Sequence, residues 1–105
     1  MSIQILGKSD HELRLIQEAL SIYQADHEQA CIELYRRNSV TIRVRIIDPL
    51  FSGMDLVSRD NLVWKYLDGL PDEIQTDITM LILLTHKEST HSLVNQEFEL
   101  SLTRS

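Results

Sequence analysis

Residues 40–46 read Val-Thr-Ile-Arg-Val-Arg-Ile, and no other stretch limits the fold of this chain so tightly. Val40, Ile42, Val44 and Ile46 alternate with Thr41, Arg43 and Arg45. A β-strand sends such a set to two faces, one apolar and one bearing arginines, whereas a helix would scatter it. Asp48-Pro49 ends the strand, because proline has no ladder donor and restricts the residue before it. Upstream, Ile32, Leu34 and Arg36 alternate with Glu33 and Tyr35, which predicts a second strand over 31–37. Asn38-Ser39 between them suits a tight turn, since asparagine tolerates left-handed backbone angles.

Helical signals flank this hairpin. Ser9 and Glu12 have capping-box spacing, and Leu13, Ile16, Leu20 and Tyr23 follow as one stripe of about four turns that fades over 25–28. Residues 1–8, with Ile3, Ile5 and Leu6, read as a packed extension or a loose end. After the hairpin, Asp55 is a suitable N-cap for a helix over 56–68, with Leu62, Val63, Tyr66 and Leu67 inward and Gly69 suited to a left-handed C-terminal position. Pro71, Asp72 and Glu73 look like the first turn of a short helix. Residues 78–85, Ile-Thr-Met-Leu-Ile-Leu-Leu-Thr, form an apolar run of strand length with both faces in need of cover. Thr85 and Glu88 repeat the capping-box spacing, predicting a last helix to about Asn95 with Leu93 and Val94 packed down. Beyond Phe98 and Leu100 the chain is expected to fray.

The expected fold is therefore α+β, in the order αββααβ. It has a three-stranded mixed sheet, helices packed on one face, and a C-terminal helix or arm. One domain spans 1–105, with its core over about 9–88 and an extension over 89–105. Sixteen acidic against ten basic residues leave a net charge of −6, which disfavours non-specific attraction to nucleic acid. The longest apolar run is too short for a membrane span, no basic-then-apolar leader is seen at the start, and Cys31 is the single cysteine. A cytoplasmic, reducing setting is the reading that follows.

From Phe51 onward the pattern F-x-G-x-x-x-V-x-R-x-x-x-V-x-x-x-L resembles the BolA-like family. It is carried by Phe51, Gly53, Val57, Arg59, Val63 and Leu67, with residues 42–48 before it and Leu81, Leu83 and Thr85 after. The likeness covers about 32–88. It implies a type II KH-like fold and two functional ideas, a [2Fe–2S] cluster shared with a monothiol glutaredoxin and a nucleic-acid or transcriptional role. In the family a histidine opens the third strand and a Cys or His lies in the loop between the first two. Here those places hold Thr79 and residues 37–39, and Asp60 replaces the usual basic or His residue after the helix arginine. The resemblance thus implies the scaffold without its customary ligands.

No catalytic or metal-binding signature is present. The expectation is a protein that is not an enzyme and has no cofactor and no metal. His27 and Cys31, four apart, are read as a surface histidine and an inert thiol, and His86 and His91 as exposed. Arg43 and Arg45 share a strand face, and Arg36 or Arg37 across the hairpin would extend a row able to meet phosphates or an acidic partner. Leu81 and Leu83 are expected on that same face and need cover, from the C-terminal segment with Leu93, Val94, Phe98 and Leu100 or from a second copy. Phe51, Gly53, Val57, Arg59 and Val63 are read as mainly structural, Arg59 as an anchor for a carboxylate. Met54, Asp60 and Trp64 form an outward edge for a partner. The functional expectation is a non-catalytic interaction or regulatory module acting through protein contacts, self-association included. The alternatives are a nucleic-acid-binding regulator using the arginine face and an iron–sulfur partner with non-standard ligands.

Overall fold

The structure, a computed structural model, describes residues 2–104, with side-chain surroundings for 2–100. It is an α+β fold. Four strands, β1 (Ser2–Ile5), β2 (Cys31–Asn38), β3 (Thr41–Ile47) and β4 (Ile78–Leu84), lie side by side in chain order. The helices are α1 (His11–Asp26), α2 (Leu56–Leu67), α3 (Asp72–Asp77), α4 (His86–Ser89) and α5 (Leu93–Arg104). β1 runs parallel to β2, β2 antiparallel to β3, and β3 parallel to β4. The sheet is mixed as expected, but it has four strands and not three, and the order opens with a strand. Ile3 and Ile5 alternate with exposed neighbours and pair with Ile32 and Leu34.

The hydrophobic core explains the element order. Ile32, Leu34, Ile42, Val44 and Ile46 point to one face of the sheet and are fully buried, as the alternation requires. Onto them α1 presses Leu13, Ile16, Leu20 and Tyr23, α2 presses Val63 and Leu67, and α3 adds Ile74. Each such side chain contributes about 1.5–3 kcal/mol over leaving it in water, so the α1 stripe alone supplies several kcal/mol. Leu62, Trp64 and Tyr66 of α2 are only partly buried against this core.

Several local readings are corrected. Asp10, not Ser9, caps α1 by accepting from the Leu13 amide, and Glu12 turns instead to Arg36. The hairpin turn puts no residue in the left-handed region; the Asn38 side chain accepts from the Val40 amide, and Val40 is exposed ahead of β3. Positive φ occurs at Gly7 (78°) and Gly53 (81°), where the chain turns into α1 and α2, and not at Gly69. Thr85 does form a capping box with Glu88, yet α4 ends at Ser89. A separate α5 follows, reaching Arg104 where fraying is expected, with Leu93 78% and Val94 51% exposed.

The buried carboxylate of Asp48 is matched within this frame. Asp48, at the end of β3, accepts from the Leu50 amide and from the Tyr23 hydroxyl at 2.7 Å. Burial and the neighbouring carboxylate both raise the Tyr23 pKa, keeping the phenol a donor.

Candidate functional site

The arginine face of the sheet is covered. Register places Tyr35 opposite Arg43, Glu33 opposite Arg45, and Arg45 opposite Ile82. The β4 residues on this face are therefore Met80, Ile82 and Leu84. Leu81 and Leu83 pair with Val44 and Ile46 on the helix-covered side, because Thr79 is the extra residue of a bulge that shifts the register. Across the arginine face lies α5. Its fully buried Phe98 meets the Tyr35 ring edge-on at 4.9 Å, and the Tyr35 hydroxyl donates to the Phe98 carbonyl at 2.8 Å.

Arg45 sits at the centre and is 8% exposed. It pairs with Glu33, donates to Asn95 Oδ1 and Glu99 Oε1 at 2.8 Å each, and stacks 4.6 Å over the Phe98 ring. Burial opposes its charge, but the hydrogen bonds it donates to Glu33 and Glu99 outweigh it, and its pKa is raised. Arg43 reaches Tyr35 and Glu97. These two arginines hold α5 in place and are not open to an incoming phosphate.

Arg36 lies on the other face. It pairs with Asp10 and Glu12 at 2.7 Å each and donates to the Asn38 and Ser39 carbonyls, pinning the start of α1 to the hairpin. Arg37 is exposed, the extra residue of the bulge between Arg36 and Asn38. The expected arginine row is thus divided, and neither Arg36 nor Arg37 extends it: Arg43 and Arg45 lie under α5, Arg36 by α1, and Arg37 at the tip.

Arg59 is buried and forks onto Glu88, at 2.7 and 2.9 Å, while donating to the Met54 and Leu83 carbonyls. The pair ties α2 to the capping box of α4, and the arginine holds the Glu88 pKa down to about 2. Phe51 and Val63 are fully buried, and Gly53 bends the turn before α2. Val57 differs: it is 69% exposed.

The first part of α2 is open. Leu56 is 73% exposed and overhangs a groove of about 400 Å³ that Leu84, Lys87 and His91 help to line. Val57 and the half-buried Trp64, two turns apart on one side of α2, bracket exposed Asp60, and half-buried Met54 precedes the helix. Met54, Asp60 and Trp64 therefore sit around an apolar patch whose main members, Leu56 and Val57, were not foreseen. The signal was available: two large apolar residues follow an N-cap before the buried Arg59, Val63, Leu67 series begins.

The cluster implied by the family resemblance does not fit these residues. Thr79 is exposed, and residues 37–39 supply Arg, Asn and Ser, with no thiolate or imidazole at either place. His27 stacks on Tyr23 at 4.1 Å and is half-buried, not on the open surface. Among the described residues no group of three or more His, Cys, Asp or Glu is placed to hold a metal ion. No helix among the described residues is long and apolar enough to cross a membrane. No family model, curated protein or solved structure matches the chain.

Proposed function

We propose that this chain is a non-catalytic interaction module on a divergent BolA-like, type II KH-like scaffold. It acts in the cytoplasm through protein contacts made by the start of α2 and the adjoining groove. The observation that carries this reading is the exposure of Leu56 and Val57 beside Trp64 and an apolar groove. Adjacent apolar residues with an aromatic anchor and a polar rim are the composition of a contact surface. The element order over residues 32–88 supports the scaffold. Engagement of Arg43 and Arg45 by α5 weighs against nucleic acid on that face, as does the net charge.

The test is light scattering together with pull-down, comparing the wild type with a Leu56→Glu, Val57→Glu double variant. Both positions are exposed, so the variant should keep its circular dichroism spectrum and melting temperature while complex formation weakens at least tenfold. An inert monomer in both assays would overturn the proposal.

A further inference from the structure

Beyond the α2 surface, and independent of it, we infer that the groove between the β1–α1 turn and the β2–β3 hairpin binds a small phosphate-bearing ligand. This groove measures about 630 Å³, within the range of small-ligand sites. It exists because β1 stops at Ile5 while β2 continues to Asn38. After the Leu6 amide bonds to the Leu34 carbonyl, Gly7, at φ 78°, swings the chain away toward α1 and leaves that side of β2 without a strand. The groove therefore lies at the carboxyl ends of two parallel strands joined by a helix. Open α/β units place their ligands at such ends.

Charge gives the ligand class. The groove is lined by Lys8, Arg36 and Arg37 against one carboxylate, Asp10, in a chain of net charge −6. Arg36 is committed to Asp10, Glu12 and two hairpin carbonyls, so it forms a fixed floor. The N-terminus of α1 is likewise occupied, by the Asp10 carboxylate, and adds nothing to the site. Lys8 and Arg37 remain, one on each wall. Both are exposed, and among the described residues neither has an ion-pair partner. Arg37 is the extra residue of its bulge, an arrangement that re-aims a side chain out of the ladder. Two cations from opposite walls suit a dianion better than a monoanion, and a guanidinium with an ammonium is a phosphate-binding combination. Leu6 and Tyr35 add apolar wall that an organic body on the phosphate would contact.

Amide chemical-shift titration of the full chain, at low ionic strength, tests this with inorganic phosphate and with AMP as probes. Saturable shifts confined to residues 6–10 and 35–39 are expected, with affinity falling about tenfold or more in Lys8→Ala, Arg37→Ala and unchanged in Lys65→Ala. Tighter binding of AMP than of phosphate would support the site and identify an ester as its ligand; equal binding would support it and identify free phosphate. Dispersed, non-saturating shifts, or equal affinity in the double variant and the wild type, would overturn the inference.

Discussion

Arg59 and Glu88 show how one ion pair can act for two helices. Glu88 closes the capping box of α4 and accepts both arms of the Arg59 guanidinium, whose other donors go to backbone carbonyls. Its folded pKa, about 2, lies below the 4.5 of a free glutamate. A depressed carboxylate stabilises the fold fully above its unfolded pKa, and that contribution is lost as pH falls through the folded one. Stability should therefore decline between about pH 4.5 and 2, and Glu88→Gln should flatten the decline in that window, as read from chemical denaturation across pH. A wild-type slope in the variant would show that Glu88 is not the group responsible. Much at this scale was legible in the sequence: Arg59 was expected to anchor a carboxylate, and Thr85 with Glu88 to form a box. That these two readings share one glutamate was not legible, because 29 residues separate the partners.

Among the elements, α5 departs furthest from its sequence pattern. Leu93 and Val94 look like the inward pair, yet among the residues of this helix whose side chains are described the buried ones are Asn95 and Phe98. The reason lies beneath the helix: a surface holding Arg45 needs a polar partner and an aromatic face, which Asn95 and Phe98 provide. Phe98→Ala should cost about 3 kcal/mol, since a fully buried ring is removed, whereas Leu93→Ala and Val94→Ala should each fall within about 0.5 kcal/mol of wild type. Equilibrium urea unfolding separates the two outcomes. Equal losses at Leu93 and Phe98 would mean that α5 is seated the other way round. The central hairpin, by contrast, was readable from period-2 alternation alone, because one face of β3 packs on α1 and α2 and selects every second residue.

The whole molecule is a mixed sheet with α1, α2 and α3 on one face and α5 closing the other. Its fourth strand escaped the sequence reading for a physical reason. β1 has four residues and two half-buried isoleucines, and it is defined by pairing with a strand that begins 29 positions later, not by a local signal. The covering of the arginine face was legible in part: the C-terminal segment was expected as one of two covers, a second copy being the other, and α5 supplies it through Asn95 and Phe98. With that face closed, the apolar start of α2 is the surface through which the molecule is proposed to act. Photo-cross-linking in cells, with the reactive side chain placed at Val57, at Asp60 or at Leu93, measures this most directly. Discrete protein adducts from Val57 and Asp60, absent from Leu93 and lost when Leu56→Glu is added, are the predicted result. Adducts from Leu93 alone, or none from the α2 positions, would contradict it.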